Sequence, residues 1–192
     1  MDWSMIGAIG QWFAGFITLA VLVYAVWQDY WKRPKLLISF NNEEDVKSQG
    51  NTVGLDPHLG SRWLRVRVQN KPGRKVAKNC RSYLIGVEHV NSGENYNLLP
   101  HDVRPLDWMH DKPESFLSRD LLPGVAHWVN IIGAIEQQDY LKVCVYPSFA
   151  LQIPGVYVLT IQVSAEDANP SVVKIRIYWD GNWESLRGER IS

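Results

Sequence analysis

The feature that most constrains this chain is an uncharged run of 23 residues near its N-terminus, Met5–Trp27, which reads MIGAIGQWFAGFITLAVLVYAVW. At a rise of about 1.5 Å per residue, a helix of this length covers roughly 35 Å, which is enough to cross a bilayer. Trp3 precedes the run and Tyr30 and Trp31 follow it, as aromatic residues do at headgroup level in membrane helices. The run predicts one membrane helix, and we place an N-terminal anchor at residues 1–33.

Two other interpretations of the run stay open. A cleaved signal peptide normally has a basic start and a small-residue cleavage site. This chain instead begins with MDWS and continues after the run with Gln28 and Asp29. A buried helix of a soluble protein is normally apolar on one face only, whereas this run is apolar on nearly every face.

The charges beside the run predict its orientation. Lys32, Arg33 and Lys35 follow it closely, while Asp2 precedes it. Basic residues tend to stay on the cytoplasmic side. We therefore expect a single-pass protein of the inner membrane, with the N-terminus outside and the C-terminal domain in the cytoplasm.

One face of the predicted helix carries small and polar residues. Small side chains let helix backbones approach each other, and an amide can donate a hydrogen bond across such an interface. The alternative is that glycine and alanine are simply frequent in membrane helices. The residues that we expect to mediate helix association are Gly7, Gly10, Gln11, Ala14 and Thr18.

The remaining residues, 34–192, have the size of one domain and show strand-like alternation. Apolar and polar residues alternate in three segments, which indicates half-buried antiparallel strands. Further strands are expected over five shorter stretches. The three alternating segments are 64–68, 157–163 and 173–178, and the five stretches are 35–40, 76–90, 96–99, 125–132 and 140–146.

Turn chemistry separates these strands. Lys71-Pro72-Gly73-Arg74 is typical of a type II turn, and Asp180-Gly181 is typical of a tight hairpin. We expect mobile loops at 41–60 and at 100–123. Many short strands without a long helical pattern predict a mainly β fold, an antiparallel sandwich or barrel preceded by one transmembrane α-helix.

The formal net charge is zero, but the charge is unevenly distributed. The segment 62–81 holds eight basic residues and no acidic one. If this segment is a hairpin, its basic side chains could share one face, and we interpret that face in three ways: a solvated surface, a surface against anionic lipid headgroups, or a site for a nucleotide or other phosphate. The candidate ligand-binding residues are Arg65, Arg67, Arg74, Lys75, Lys78 and Arg81.

Two cysteines, Cys80 and Cys144, each lie in a predicted strand. Their separation is similar to that of the inter-sheet disulfide of immunoglobulin domains. A reducing cytoplasm would instead leave both as buried thiols, which is our expectation. A disulfide would argue that the domain lies outside.

Few residues suggest catalysis or metal binding. The segment His101–Asp111 contains two histidines and three aspartates, but their spacing matches no standard ligand motif, and a polar surface loop explains it. The chain has no nucleophile elbow, no phosphate loop and no groove-reading element. We therefore expect a protein that is not an enzyme, with no catalytic residue, no metal, no cofactor and no duplex DNA partner.

Several segments resemble a known group of proteins. The stretch VQNKPGRKVAKNCRSYLIGV at 68–87 resembles a strand, loop and strand of bacterial immunoglobulin-like domains, and Leu122-Pro123-Gly124, PGVYVLTIQVSAEDANP and WDGNW are similar to their later elements. Together with the anchor, the chain resembles small bacterial membrane-anchored proteins with an immunoglobulin-like β-sandwich. It is also similar to the transmembrane β-domain effectors of nucleotide-signalling antiphage systems, although those commonly have two membrane helices.

Two functions follow from these observations and this resemblance. The first is a membrane-anchored, non-enzymatic interaction module that docks a protein partner. The alternative is a membrane-perturbing effector of antiphage defence, gated by a cyclic nucleotide or other anionic signal. A hydrolase that uses the His101–Asp111 segment would require a bound metal.

Overall fold

The structure is a computed structural model, and it describes residues 3–49, 60–91, 94–97, 103–109 and 118–191. It begins with helix α1, Trp3–Lys32, which is longer at both ends than the predicted run. Large apolar side chains along α1 are exposed, among them Phe16 at 66% and Val26 at 65%. In the described part of the chain, the segment Gly10–Lys32 is long and apolar enough to cross a membrane, and none of it is buried.

The β domain consists of two sheets. The front sheet has the strand order β1-β3-β8-β9-β10, and β2 also pairs with β3. Every strand pair in it is antiparallel. Its strands are β1 (Leu36–Ser39), β2 (Val46–Gln49), β3 (Ser61–Asn70), β8 (Ala126–Ile135), β9 (Leu141–Val143) and β10 (Phe149–Leu151).

The back sheet has the order β13-β12-β11-β4-β5, and two short strands, β6 and β7, also pair with β4. It too is antiparallel throughout. Its strands are β4 (Ala77–Asn91), β5 (Glu94–Asn97), β6 (Arg104–Pro105), β7 (Arg119–Leu121), β11 (Gly155–Ala165), β12 (Ala168–Trp179) and β13 (Arg187–Ile191).

The core lies between the two sheets. Leu64, Val66 and Val68 of β3 are fully buried, and so are Leu159 and Ile161 of β11 in the opposite sheet. Successive side chains of a strand point to opposite faces, so the observed alternation confirms the predicted strands at these positions. The fold is mainly antiparallel β with two facing sheets and one N-terminal apolar helix.

The structure corrects the prediction that the basic segment forms a hairpin. Strands β3 and β4 are consecutive in sequence, but β3 belongs to the front sheet and β4 to the back sheet. The loop 71–76 therefore crosses from one sheet to the other. Gly73 has φ +74, as the third residue of a type II turn requires, so the turn was predicted correctly and the strand pairing was not.

Two predicted loops contain secondary structure. The stretch 41–60 holds a short helix, α2 (Asn42–Asp45), followed by β2. The Asn41 side chain caps α2 by accepting a hydrogen bond from the Glu43 amide at 3.2 Å. The stretch 100–123 contains β6 and β7. The residues between these elements, 50–59 and 110–117, lie outside the described residues.

The described segment 103–109 links the two sheets. Pro105 and Arg104 pair with β4 of the back sheet. Leu106 pairs with Val145, which follows β9, and Trp108 pairs with Val129 of β8. Both β8 and β9 belong to the front sheet. This crossing segment covers one lateral edge of the sandwich, and Trp108 is 1% exposed within it.

The expected tight hairpin at Asp180-Gly181 is also wrong. Gly181 has φ +101, but a 3₁₀ helix, Trp183–Ser185, follows it before β13 begins. The Asn182 side chain accepts a hydrogen bond from the Glu184 amide at 3.0 Å. This cap favours a short helix over a two-residue turn.

Both cysteines are free in the structure. Burial raises the pKa of the Cys80 thiol to about 12 and that of the Cys144 thiol to about 12. The thiols are therefore protonated at neutral pH and behave as small apolar side chains.

The outer face of the front sheet contains one close backbone approach, which leads to a prediction. A Cβ atom on Gly133 would lie 2.5 Å from Cε3 of Trp63, so Gly133→Ala should displace the indole and destabilise the fold by about 1–3 kcal/mol. The matched control is Gly86→Ala, whose Cβ would meet Thr160 at an ordinary 3.5 Å. Thermal unfolding in detergent measures both. An equal midpoint for the two variants would contradict this packing.

Candidate functional site

The C-terminal end of α1 is bonded directly to the β domain. The last carbonyl groups of a helix have no partner within the helix. Here the Arg74 guanidinium donates to the Trp31 carbonyl oxygen, and the Lys75 amide donates to the Lys32 carbonyl oxygen at 2.8 Å. The positive charge of Arg74 also suits the negative end of the helix dipole. The loop after β3 thus caps the helix.

Two further contacts fix the chain where it leaves the helix. Lys75 forms an ion pair with Asp29, and both side chains are 55% exposed. Such an exposed pair contributes little to stability. The Lys71 amide donates to the Lys35 carbonyl oxygen at 2.9 Å, which extends the β1–β3 pairing up to the helix exit.

One fully buried amide, Asn70, joins the surrounding segments. Its Oδ1 accepts from the Lys35 amide at 3.2 Å. Its Nδ2 donates to the carbonyl oxygens of Lys75 at 2.7 Å and Leu121 at 3.2 Å. Its own carbonyl oxygen accepts from the Gly124 amide at 2.8 Å. Asn70 therefore connects the helix exit, the loop 71–76 and the end of β7 through hydrogen bonds. We call residues 29–36, 70–75 and 121–125 the junction.

Sequence reasoning did not single out Asn70. The available signal was a polar residue at the end of an alternating strand, directly before Lys71-Pro72-Gly73. Asn70 also lies in the stretch 68–87 on which the resemblance to immunoglobulin-like domains is based, but nothing in the sequence shows which backbone groups its amide satisfies.

An open cleft of about 920 Å³ lies between the junction and the hairpin that joins β11 to β12. One wall carries the cations Arg33, Lys35, Arg74 and Lys75, the carboxylate of Asp29 that pairs with Lys75, and the aromatic rings of Tyr30 and Trp31. The opposite wall is the hairpin tip, which carries Glu166 and Asp167. The cleft therefore has a basic wall and an acidic wall.

The acidic wall is held in place by the start of β4. Glu166 Oε1 accepts from the Asn79 side chain at 2.5 Å, and Asp167 Oδ1 accepts from the Lys78 amide at 3.2 Å. Asn79 has φ +50, in the left-handed region where asparagine is better tolerated than most residues. Each carboxylate keeps a second oxygen for another donor.

The structure does not bring the six predicted ligand-binding residues together. Arg74 and Lys75 lie in the junction, and Lys78 lies next to it at the start of β4. Arg81 is exposed and pairs in register with Ser164, on the outer face of the back sheet.

Arg65 and Arg67 lie on the outer face of the front sheet, because Leu64, Val66 and Val68 point inward. Since β3 and β4 are in different sheets, the fold separates the predicted site into three places.

Arg65 and Arg67 lie in a buried cluster beneath α2. Arg65 is 6% exposed and donates to the Met109 sulfur at 3.0 Å, and a thioether is a weak acceptor. The Nε atoms of Arg65 and Arg67 are buried and have no hydrogen-bond partner among the described residues. The neighbouring Asp45 accepts from the Trp128 indole at 3.2 Å and from the Asn41 amide at 2.7 Å.

Burial in this cluster shifts two pKa values. It lowers the pKa of the Arg65 guanidinium and raises the pKa of the Asp45 carboxyl. Each of the two guanidinium groups carries about five N–H donors, whereas the one carboxylate has about four acceptor sites, so the cluster has more donors than acceptors. It is an electropositive buried region rather than an exposed basic patch.

The residues predicted for helix association all lie in α1, where their spacing places them along one face. Thr18 donates its hydroxyl to the Ala14 carbonyl oxygen at 2.8 Å. Nothing in the described residues lies within 4 Å of the position that a Cβ on Gly10 would take. Association through Gly7, Gly10, Gln11, Ala14 and Thr18 stays a prediction.

Much of the suggested metal segment, including His101, Asp102, His110 and Asp111, lies outside the described residues. Among the residues that the structure does describe, no group of three histidines, cysteines, aspartates or glutamates could hold a metal ion. Asp107, inside the segment, uses its backbone in the crossing segment, where its carbonyl oxygen accepts from the Asn130 amide at 2.9 Å.

The bonds of Asn70 generate a stability prediction. Asn70→Ala leaves the Lys35 amide and the Lys75 and Leu121 carbonyl groups without this partner, and one unsatisfied buried group costs about 1–3 kcal/mol. We therefore expect Asn70→Ala to lower the unfolding midpoint clearly, while Asn169→Ala, at an exposed position of the hairpin, leaves it nearly unchanged. Chemical denaturation in detergent measures both. An unchanged midpoint for Asn70→Ala would contradict the junction described above.

Comparison with known proteins gives no match: no protein family, curated protein or solved structure is detectably similar to this chain.

Proposed function

We propose that this chain is a membrane-anchored, non-enzymatic interaction module that docks a protein partner close to a bacterial inner membrane. The observation that carries the proposal is the capped helix. An apolar, exposed helix long enough to cross a bilayer ends in direct hydrogen bonds to the folded domain. Such a connection holds the domain in a fixed direction relative to the helix.

The end of the helix supports this placement. Trp27 ends the apolar run and Tyr30 and Trp31 follow it; all three are exposed, which suits the headgroup region. Lys32, Arg33 and Lys35 come next, so the positive-inside tendency supports a cytoplasmic domain and an outside N-terminus.

The far end of the sandwich is the surface that we assign to the partner. Strand β12 runs from the cleft at Ala168 to Trp179, which at about 3.3 Å per residue is roughly 35 Å. At that end, an open cleft of about 800 Å³ is lined by Tyr178, Trp179 and Arg187, among others. Ile153, in the adjacent connection, is 63% exposed. This end lies away from the junction and is accessible to a soluble protein.

The resemblance to small bacterial proteins with an immunoglobulin-like sandwich is part of this proposal. The support for it is the two facing antiparallel sheets and the single helix. The resemblance adds an expectation of recognition through a sandwich surface rather than of catalysis.

The anchor and the partner surface can be tested in one set of bacterial cells. The full chain should resist extraction by alkaline carbonate, and protease added to spheroplasts should spare the domain. A photocrosslinking residue at position 153 should give one discrete product, whereas the same residue at Val172, which is 51% exposed on β12, should not. Degradation from outside would refute the orientation, and equal products at both positions would refute the partner surface.

A second candidate function is an effector gated by an anionic signal, and the Arg65 and Arg67 cluster favours it. Two guanidinium groups, whose Nε atoms have no partner in the described part of the chain, lie beside Asp45 of the short helix α2. A phosphate group would supply the acceptors that the cluster lacks. In this alternative, the signal binds there, and the small-residue face of α1 assembles to perturb the membrane.

Calorimetric titration of the full chain in nanodiscs with cyclic di- and trinucleotides tests the second candidate. Binding should weaken at least about tenfold in Arg67→Gln, since a charge-assisted hydrogen bond is worth roughly 1.5–3 kcal/mol. The matched control is Arg190→Gln on β13, where the side chain is exposed. No binding across the panel would leave the interaction module as the better account.

A further inference from the structure

The cleft beside the junction lies at the depth of lipid headgroups if α1 spans the membrane. The helix segment Gly10–Lys32 covers 23 residues, or roughly 35 Å, and the hydrocarbon core of a bilayer is about 30 Å thick. Tyr30 and Trp31, which line the cleft, then sit at the interface. The cleft therefore opens where phospholipid headgroups are present at high local concentration.

The basic wall has donors that the protein does not use. The Arg33 guanidinium lies 6.0 Å from the centre of the Tyr30 ring. Neither Arg33 nor Lys35 donates a side-chain hydrogen bond within the described residues, and the Lys35 contact with Asn70 comes from the backbone amide. Arg74 and Lys75, by contrast, are engaged with Trp31 and Asp29. Within the part of the chain that the structure describes, the Arg33 and Lys35 side chains thus keep their hydrogen-bond donors available to an anionic group.

The carboxylates of the acidic wall can accept more hydrogen bonds than those they form with β4. Glu166 and Asp167 each use one carboxylate oxygen to bind the start of β4. A carboxylate can accept several hydrogen bonds, and both side chains line the cleft. A purely anionic ligand would be repelled by this wall, whereas a ligand with a positive group would be attracted by it.

We propose that this cleft binds the headgroup of phosphatidylethanolamine. Its phosphodiester lies against Arg33 and Lys35, and its ammonium group donates hydrogen bonds to Glu166 and Asp167. The proposal rests on the membrane anchor proposed above. It adds a lipid ligand and the residues that select it.

Two other common headgroups fit less well. Phosphatidylglycerol carries the phosphate but no cation, so its charge is opposed by Glu166 and Asp167. Phosphatidylcholine carries a quaternary ammonium, which has no N–H group to donate. The primary ammonium of ethanolamine has three donors, as a lysine side chain has, and charge-assisted hydrogen bonds are the stronger kind.

The test uses the full chain in nanodiscs made of equal parts of the three phospholipids, with the lipids that stay bound identified by native mass spectrometry. Phosphatidylethanolamine should be retained about tenfold over phosphatidylcholine, which corresponds to roughly 1.4 kcal/mol. The double variant Arg33→Gln and Lys35→Gln should lose the retained lipid. Glu166→Gln with Asp167→Asn preserves acceptors for Asn79 and Lys78, and it should lose only the preference over phosphatidylglycerol.

The matched control is Lys142→Gln on β9 with Arg190→Gln on β13, two exposed cations that do not line the cleft, and it should behave like the unaltered chain. Retention of phosphatidylglycerol above phosphatidylethanolamine by the unaltered chain would overturn the inference, and so would an unchanged preference in the acidic-wall variant. If the chain enters nanodiscs without any lipid preference, this inference fails alone. If the chain does not enter nanodiscs, the proposed anchor fails as well.

Discussion

The placement of helix α1 on the sandwich depends on the hydrogen bonds of one side chain, that of Asn70. The described bonds between the helix end, its exit residue Lys35 and the sandwich all come from residues 70–75. That loop has its shape because one buried amide satisfies backbone groups from three segments. In a dry environment, such groups are costly to leave unpaired. The hydrogen bonds of β3 thus continue through Asn70 and fix the place where the apolar helix α1 meets the sandwich.

The placement of the charged residues follows from the connection between the sheets. The basic segment 62–81 is continuous in sequence, yet it runs along the front sheet, crosses at the junction and returns along the back sheet. Its basic residues therefore lie in three different places: a buried cluster beside Asp45, the end of α1, and the solvated face that carries Arg81. The acidic groups near them come from other parts of the chain: Asp45 of α2, Asp29 of α1 and the β11–β12 hairpin.

Sequence patterns predicted the strands well because alternation reflects burial against a core, and the core positions Leu64, Leu159 and Ile175 are all fully buried. Strand pairing could not be predicted in the same way. A turn such as Lys71-Pro72-Gly73-Arg74 is compatible with a hairpin in one sheet and with a crossing to the other sheet. Whether β4 pairs with β3 depends on contacts made by distant residues. The short helix α2 was missed because four residues give no helical period, although Asn41 is a typical cap. The junction was missed because its key contacts involve backbone groups, which every residue has.

The crossing segment at 103–109 affects more than the local packing of Trp108. Exposed sheet edges present unpaired backbone groups that can join the edge of a neighbouring molecule. A protein tethered in a bilayer meets its copies at an effective concentration far above that in solution. By pairing with both sheets along one side, this segment makes that flank of the sandwich unavailable for strand exchange between neighbours. In the proposed membrane-bound state, association through α1 would therefore leave this flank of each sandwich unpaired with its neighbour.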